Sequence, residues 1–273
     1  MNKTITIEGR SIHYRLTGSG NPVMLVHGFG EEADVWNEIV DSLKEKYLLI
    51  IPELPGSGHS EQVGDMSVEG MATVLHTILR EENLSRCVLI GHSMGGYIAL
   101  AFAEKYRDHL SGFGLFHSTA YADSEEKKAI RRKGIEFIRE HGAFVFLKAS
   151  TPNLFSPRTR EENAGLVEKQ IAGLTRFTTE ALVAYYMAMI NRPDRRDLLG
   201  QLAVPVLFII GKHDNAVPPA DSFRQSQLPE ISYIHQLDKS GHMGMLEEPE
   251  RCTEILEEFL RDTRETITDE KYS

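Results

Sequence analysis

The sequence predicts an α/β fold: a mostly parallel central sheet with helices on both faces and an inserted helical cap. Two observations predict the sheet. Short apolar runs of the kind found in strands buried on both faces alternate with segments of helical periodicity, and several of these runs end in glycine. A third observation predicts the cap, because only helical patterns occur from Ala122 to Asn191. Alternating buried strands and helices are typical of a parallel sheet covered by helices.

The first part of the chain contains the first six predicted strands. Residues 4–16 alternate between apolar and polar side chains around Gly9, which predicts an antiparallel hairpin. Segments with helical spacing of apolar residues separate most of the strands that follow. The further strands are predicted at 23–28, 47–52, 87–91 and 112–116, and the helices at 33–44, 68–82 and 94–106.

The alternation of strand and helix resumes after the helical stretch. The predicted elements are a strand at 204–211, a helix after Pro218-Pro219, a strand at 231–237 and an amphipathic helix from Pro249 to Leu260. The polar residues 261–273 are predicted to be frayed. The prediction therefore divides the chain into a sheet core, residues 1–117 and 197–273, and a helical cap, residues 118–196, inserted after the sixth strand.

The charge of the chain argues against a general affinity for polyanions. Its 273 residues include 30 Lys+Arg and 40 Asp+Glu, which gives a net charge of -10. Binding to nucleic acid or to an anionic membrane surface needs clustered positive charge, so neither is an expected partner. The predicted cap carries 14 Lys+Arg and 10 Asp+Glu and is the less acidic part. The basic run at 127–133 is typical of a solvated helix face, and a weak preference for anionic substrates is the alternative interpretation.

No segment predicts export or membrane insertion. The first residues contain neither an apolar stretch nor a small-residue cleavage site, and no run reaches the roughly 18 apolar residues that a bilayer span needs. We therefore expect a cytoplasmic protein. Cys87 and Cys252 lie in apolar or helical patterns without a CxxC motif or a Cys/His cluster. Both are interpreted as buried or semi-buried thiols, and neither a metal nor an organic cofactor is predicted.

The segment Gly91-His92-Ser93-Met94-Gly95-Gly96 joins a predicted buried strand to a predicted helix. The pattern G-x-S-x-G is common by itself, but in this context it is typical of a sharp turn that exposes a nucleophilic serine. Gly91 and Gly95 leave room for the turn, and the helix N-terminus adds backbone N–H donors. Ser93 is therefore the predicted nucleophile.

A serine nucleophile needs a base to take its proton, and the base needs an acid to orient it. His242 follows the last predicted strand and Asp214 follows the strand before it, so both leave the sheet at the same edge as Ser93. The order Ser, Asp, His along the chain fits such a sheet. Asp123 and Asp238 are the alternative acids.

Two further histidines lie near the same edge in the predicted fold. His92 directly precedes the predicted nucleophile, and we expect it to point into the protein in a structural role. His117 ends a strand near the predicted pocket and is a candidate for contact with the substrate.

Acyl transfer also needs two N–H donors for the oxyanion of its tetrahedral intermediate. The N–H of Met94 is the first candidate, and the N–H of Phe29 in the loop His27-Gly28-Phe29-Gly30 is the second. In the alternative interpretation, this loop is a glycine-rich strand end that only lets the chain turn.

Taken together, these motifs resemble the α/β-hydrolase family over nearly the whole chain. The resemblance rests on His27-Gly28, PELPGSGHS, GHSMGG, GKHDNAVP and SGHMGMLEEPE, which occur in the order typical of the family. Within it, the chain is most similar to small serine esterases and enol-lactonase-like hydrolases with a helical cap. The spacing of 28 residues from Asp214 to His242 leaves room for one helix and one strand. Glu53, in the segment PELPGSGHS, departs from the family pattern, since many members have Asp at this position. It is not one of the three predicted catalytic residues Ser93, Asp214 and His242.

The predicted activity is that of a serine hydrolase that cleaves a small carboxylic ester or lactone through an acyl-enzyme on Ser93. One alternative is a C–C bond hydrolase or a lyase that uses the same three residues. Another is a non-catalytic binding or signalling protein. Dehalogenases and epoxide hydrolases resemble this fold but attack through a carboxylate. Ser rather than Asp at the nucleophile position therefore argues against both.

The substrate pocket is the least determined feature, because most aromatic and Met residues on helices belong to the core. A small-molecule substrate with a small to medium acyl group of modest polarity would fit an apolar pocket. The candidate pocket residues are Gly28, Trp36, His117, Phe144, Tyr185, Met189 and Met243.

Overall fold

An eight-stranded sheet forms the centre of the protein in the computed structural model, which describes residues 1–269. The hairpin and the further strands occur where the sequence predicts them, and most strand ends agree within two residues. The strands are β1 Asn2–Ile7, β2 Arg10–Thr17, β3 Asn21–Val26, β4 Tyr47–Pro52, β5 Cys87–His92, β6 Leu110–Phe116, β7 Val206–Gly211 and β8 Ser232–Leu237.

The strand order in the sheet is β1-β2-β4-β3-β5-β6-β7-β8. The hairpin β1–β2 joins the sheet through an antiparallel pairing of β2 with β4, and the strands from β4 to β8 pair in parallel. The chain moves outward from β3 to β4 and then returns to the other side of β3 with β5. Such a reversal leaves a crevice at the carboxyl ends of β3 and β5, where ligands bind in open α/β sheets.

Helices cover both faces of the sheet and fill the segment between β6 and β7. Serine side chains begin three of them, since Ser67 accepts the N–H of Gly70, Ser124 accepts the N–H of Lys127 and Ser156 accepts the N–H of Thr159. The α-helices are α1 Asn37–Leu43, α2 Val68–Glu81, α3 Met94–Lys105, α4 Glu125–His141, α5 Ala143–Ser150, α6 Pro157–Glu162, α7 Ala164–Ala172, α8 Thr179–Asn191, α9 Arg196–Leu199, α10 Pro219–Gln225, α11 Gly244–Glu247 and α12 Pro249–Asp269.

Two apolar cores lie on opposite faces of the sheet. Successive side chains of β3 point alternately into the two cores. Met24 and Val26 pack with α2 and α3, whereas Val23 and Leu25 pack with α1 and α12. This alternation follows from the period of two in a strand and explains why both faces of β3 are apolar. The predicted fold class, a mostly parallel sheet with helices on both faces, is confirmed.

The chain between β6 and β7 contains helices and no strand within the described residues, in agreement with the sequence pattern. We call residues 118–196 the helical segment. In this segment α4 packs against α5 and α8, and Tyr185 of α8 donates a hydrogen bond of 2.7 Å to the carbonyl of Pro55 in the loop after β4. The division of the chain into a core and a cap at these boundaries stays a prediction.

One prediction about the end of the chain is wrong. Residues 261–269 were expected to be frayed, but α12 continues to Asp269, and residues 270–273 lie outside the described part. The buried face of the helix continues at least to Thr263, which is buried with its methyl group close to Gly112 of β6. Both cysteines are buried and free, and burial raises the pKa of Cys87 to about 12, so the thiol is unreactive.

Candidate active site

The turn between β5 and α3 holds Ser93 in a conformation that few residues adopt. Its backbone angles are φ 50° and ψ -118°, in a sparsely populated region. A Cβ on Gly91 would lie 2.3 Å from the carbonyl oxygen of Gly95, and one on Gly95 would lie 2.4 Å from the carbonyl oxygen of Val26. Both glycines are therefore needed for the turn to close against the neighbouring strand.

Three side chains predicted from the sequence meet above this turn. The Oγ atom of Ser93 lies 2.8 Å from Nε2 of His242, and Nδ1 of His242 lies 2.8 Å from Oδ2 of Asp214. The other oxygen, Oδ1, accepts the N–H groups of Ala216 and Val217. With a carboxylate at Nδ1, the proton of the neutral imidazole resides there, and Nε2 is free to accept the serine proton.

The carboxylate of Asp214 is buried and stays ionised. Burial by itself would raise the pKa of this group, but the neighbouring imidazoles of His242 and His117 outweigh it and hold the pKa well below its usual range. Asp214 is thus a permanent negative charge next to His242. It stabilises an imidazolium whenever His242 takes a proton.

Neither alternative acid contacts His242. Asp123 binds the guanidinium groups of Arg131 and Arg192, and Asp238 pairs with Lys212 at the surface. The carboxylate that lies next to the imidazole is that of Asp214.

The backbone amides of Phe29, after β3, and Met94, at the start of α3, lie near Ser93 and have no acceptor within the described part of the protein. The preceding amide, of Gly28, is engaged, since it donates to Oε2 of Glu31 at 2.7 Å. His27 fixes the same loop from the other side, because its Nε2 accepts the N–H of Leu54 at 3.0 Å. The two amides can therefore donate to an oxyanion next to Ser93.

A buried ion pair behind the catalytic candidates was missed from the sequence. Oε2 of Glu31 lies 2.8 Å from Nδ1 of His92, and Nε2 of His92 lies 2.9 Å from the carbonyl oxygen of His242. Burial lowers the pKa of His92, but Glu31 outweighs this and leaves it raised, whereas the pKa of Glu31 is lowered. The pair links the Gly28 loop to the backbone of His242.

The expected structural role of His92 agrees with these contacts, but nothing in the pattern HGFGEE distinguishes Glu31 from Glu32. The distinguishing feature is tertiary, since His92 approaches Glu31 from another strand. Glu53, the departure from the family motif, accepts the N–H of His59 within its own loop.

A cavity of about 510 Å³ opens onto Ser93 and His242. One side of its wall comes from the sheet edge, including Phe29 and Met243. The other side comes from the helical segment, mainly from α4, α5 and α8, and includes Arg131 and Tyr186. The ring of Tyr186 stacks on that of Phe29, with centroids 4.5 Å apart. The site therefore lies between the sheet and the helical segment.

Of the predicted pocket residues, Met189 and Met243 lie on the cavity wall. The others lie elsewhere for identifiable reasons. Gly28 is beside Ser93 but turned to Glu31. Trp36 is buried against Phe116 in the core that includes α1.

Three more of the predicted pocket residues do not line the cavity. Tyr185 is buried with its hydroxyl on Pro55, and Phe144 is exposed at the surface. His117 is buried, with Nδ1 3.5 Å from Oδ2 of Asp214. Its burial lowers its pKa to about 4, so the ring is neutral next to that carboxylate.

Within the described residues, no helix has the length and apolar character needed to cross a bilayer. No group of three or more His, Cys, Asp or Glu side chains in that part is arranged to hold a metal ion.

Comparisons with known proteins agree with this architecture. The model of a family described as "Alpha/beta hydrolase family" matches residues 23–255. A thermophilic esterase from Thermogutta terrifontis, solved with malate bound, is 32% identical with a TM-score of 0.90, and the match covers 96% of this chain and 99% of that one.

Two more distant proteins extend the comparison. The enol-lactonase of Burkholderia xenovorans LB400 has a TM-score of 0.87 at 22% identity over 95% of this chain and 100% of its own, a likeness of fold. The pimeloyl-[acyl-carrier protein] methyl ester esterase of Vibrio cholerae is 24% identical over 91% of this chain and 98% of its own length.

Proposed function

The chain belongs to the alpha/beta hydrolase family, and we propose that it is a serine hydrolase that cleaves a small carboxylic ester or lactone. The observation that carries this proposal is the continuous hydrogen-bonded series Ser93–His242–Asp214 at the wall of a cavity, with both contacts at 2.8 Å. The esterase from Thermogutta terrifontis, at 32% identity, supports the choice of ester chemistry.

In the first half of the proposed reaction, Ser93 Oγ attacks the acyl carbon while His242 Nε2 takes the hydroxyl proton. Asp214 holds the imidazole and stabilises its charge. The N–H groups of Phe29 and Met94 donate to the oxyanion. The C–O bond to the alcohol then breaks, His242 gives its proton to the leaving oxygen, and an ester with Ser93 remains.

In the second half, His242 takes a proton from a water molecule, and the resulting hydroxide attacks the acyl carbon of the Ser93 ester. The same two amides hold the oxyanion. The bond to Ser93 Oγ breaks, His242 returns the proton to that oxygen, and the carboxylic acid leaves. For a lactone, the alcohol and the acid belong to one molecule, so ring opening gives a hydroxy acid.

We further propose that the helical segment, residues 118–196, acts as a cap over this site. Support comes from the side chains of Leu147, Tyr186 and Met189, which form cavity wall opposite Ser93. Such a cap shapes the substrate pocket and limits the access of bulk water to the acyl-enzyme.

The test uses p-nitrophenyl esters of graded chain length together with lactones and amides. We expect hydrolysis of short esters to fall by roughly 10⁶-fold in Ser93→Ala, with no change in Ser85→Ala, which removes an exposed hydroxyl. A fluorophosphonate reagent should modify Ser93 in the native protein and leave the Ser93→Ala variant unmodified.

The other outcomes separate the alternatives. Hydrolysis that persists undiminished in Ser93→Ala would refute the assignment of the nucleophile. Turnover of a β-diketone without turnover of esters would indicate the C–C hydrolase. Tight retention of a ligand with turnover far below one per second on every substrate would indicate a binding protein.

A further inference from the structure

Arg131 brings a positive charge into the wall of the cavity that holds Ser93 and His242. It lies on α4, and its side chain is 13% exposed. Nε of Arg131 donates to Oδ2 of Asp123 at 2.6 Å, and Nη2 lies 3.5 Å from Oδ1. Within the described residues, Nη1 has no hydrogen-bond acceptor.

The carboxylate of Asp123 does not neutralise this charge by itself, because a second guanidinium shares it. Nη2 of Arg192 donates to Oδ1 of Asp123 at 2.9 Å, and the side chain of Arg192 is 3% exposed. Arg192 is otherwise held in place by protein groups, since Nη1 donates to the carbonyl of Met189 and the guanidinium lies 3.8 Å from the ring centroid of Tyr97. Two cations and one anion leave one positive charge, and Arg131 is the member that reaches the cavity.

The other charged groups of the wall do not cancel it. Glu31 is paired with His92 and with the N–H of Gly28. Glu126 is exposed, so solvent screens its charge. Lys127 adds a second cation, whose Nζ donates to the carbonyl of Ala216 at 2.8 Å. The sheltered part of the wall is therefore cationic.

The position of Arg131 relates this charge to the reacting atoms. Its guanidinium carbon lies 5.4 Å from the ring centroid of Tyr186, and Tyr186 stacks on Phe29, whose N–H is an oxyanion donor in the proposed reaction. Arg131, Phe29 and Ser93 thus line the same cavity. A substrate with its reacting carbonyl at Ser93 can extend an anionic group along this wall toward Arg131.

We propose that Arg131 determines specificity by forming a carboxylate subsite, so that the substrate is an ester or lactone carrying a second, free carboxylate. This inference rests on the proposed function and names the substrate class for the same cavity. A guanidinium presents several N–H donors in one plane, a geometry that suits a carboxylate. The unneutralised charge, costly to bury in an unliganded wall, would be compensated by the substrate.

The test compares two esters of similar shape: mono-p-nitrophenyl glutarate, which carries a free carboxylate, and neutral p-nitrophenyl hexanoate. We expect the native enzyme to have the higher kcat/KM with the glutarate ester. In Arg131→Gln, the ratio of the two kcat/KM values should fall by about 10- to 100-fold, the usual effect of losing a hydrogen bond to a charged group. Most of the change should be in KM for the glutarate ester.

Arg132→Gln is the matched control. It removes the same charge from the next residue of α4, where the side chain is exposed and off the cavity wall, and it should leave the ratio unchanged. Asp123 keeps its pairing with Arg192 in Arg131→Gln, so we expect the variant to fold. Arg131→Lys, which keeps the charge but not the planar group, should give an intermediate ratio and serves if Arg131→Gln does not fold.

Direct binding keeps this inference separable from the proposed function. By calorimetry, free glutarate should bind the native protein. Neutral pentanamide with the native protein, and glutarate with Arg131→Gln, should both bind at least tenfold more weakly. Ser93-dependent hydrolysis of the neutral ester, without a preference for the glutarate ester and without glutarate binding, would overturn the subsite and leave the serine hydrolase standing. Arg131-dependent glutarate binding in a protein that hydrolyses no ester would support the subsite and count against the hydrolase.

Discussion

The two sides of the cavity are held by different means. On the sheet side, Ser93, Asp214 and His242 each follow a strand. The backbone places the imidazole of His242 2.8 Å from Ser93 Oγ and 2.8 Å from Asp214 Oδ2. On the side of the helical segment, the wall depends on side-chain pairs such as Arg131 with Asp123 and Tyr186 with Phe29. Changes on the sheet side should therefore affect the rate with every substrate, and changes on the helical side should affect which substrate is preferred.

Apart from replacing the nucleophile, the largest effect that this contrast predicts is that of Asp214→Asn. The amide leaves the hydrogen-bonding geometry nearly intact but favours the wrong tautomer of His242, so kcat should fall by about 10⁴-fold. The loss should be similar for neutral and carboxylate-bearing esters, because the step affected is common to both. Steady-state kinetics with p-nitrophenyl hexanoate and mono-p-nitrophenyl glutarate measure it.

Asp238→Asn is the control for this variant. Its carboxylate is 71% exposed and pairs with Lys212, so kcat should be unchanged. A loss in Asp214→Asn confined to one of the two esters would contradict the contrast between the two sides of the cavity.

The second prediction concerns the buried pair Glu31–His92 on the sheet side. Glu31→Gln leaves His92 without its charged partner, which should lower the free energy of unfolding by about 3–5 kcal/mol near pH 6. His92 has a pKa raised above its usual 6.5, so its contribution is complete below pH 6.5 and is lost as the pH rises through the folded value. Glu31 has a pKa lowered from 4.5, so its contribution is present above pH 4.5.

The deficit of Glu31→Gln should therefore be largest between pH 4.5 and pH 6.5 and should shrink toward alkaline pH. Urea unfolding at several pH values measures it, and Glu38→Gln, an exposed glutamate nearby, is the control. The other titratable groups coupled to the pair are His27 and Asp214. A deficit that is constant from pH 5 to pH 9 would mean that the pair is not ionic.

The same contrast explains what could be predicted from the sequence. Strands and helices have local periodicity, and the ends of parallel strands share one edge, so the meeting of Ser93, Asp214 and His242 follows from their order. No such rule applies to the helical side. Tyr185 and Tyr186 are neighbours on α8, yet the first is buried against Pro55 and the second lines the cavity. Which of them faces the substrate depends on how α4 and α8 pack.

The charge of the site is the other feature that the sequence leaves open. Arg131 belongs to a basic run with two interpretations, a solvated helix face or a weak preference for anionic substrates, and its neighbour Arg132 is exposed. Arg131 is sheltered because Asp123 and Arg192 come together beneath it. Asp123 and Arg192 are 69 residues apart in the sequence, so no local sequence pattern predicts their contact.

The third prediction measures the contact between the two sides directly. The stacked rings of Phe29 and Tyr186 have an interplanar angle of 3°, and a double-mutant cycle of Phe29→Leu and Tyr186→Leu should give a coupling energy of about 0.5–1.5 kcal/mol in unfolding experiments. Phe29→Leu combined with Tyr106→Leu, which is remote from this stack, should give additive losses. Coupling within error of zero for the first pair would mean that the helical segment and the sheet edge are energetically independent here.

The smallest expected effect is at the surface junction between the helical segment and the core, where Arg176 pairs with Glu32. The side chain of Arg176 is 46% exposed, so solvent screens the attraction, and Glu32→Gln should lower the free energy of unfolding by less than about 1 kcal/mol. The loss should largely disappear in about 1 M salt, where the screening length falls to about 3 Å. Arg158→Gln, which breaks an exposed pair within α6, is the control for a bridge that does not reach the core. A larger loss that survives high salt would mean that ionic contacts hold this junction. The stacked rings of Phe29 and Tyr186 would then no longer explain how the helical segment is positioned over Ser93.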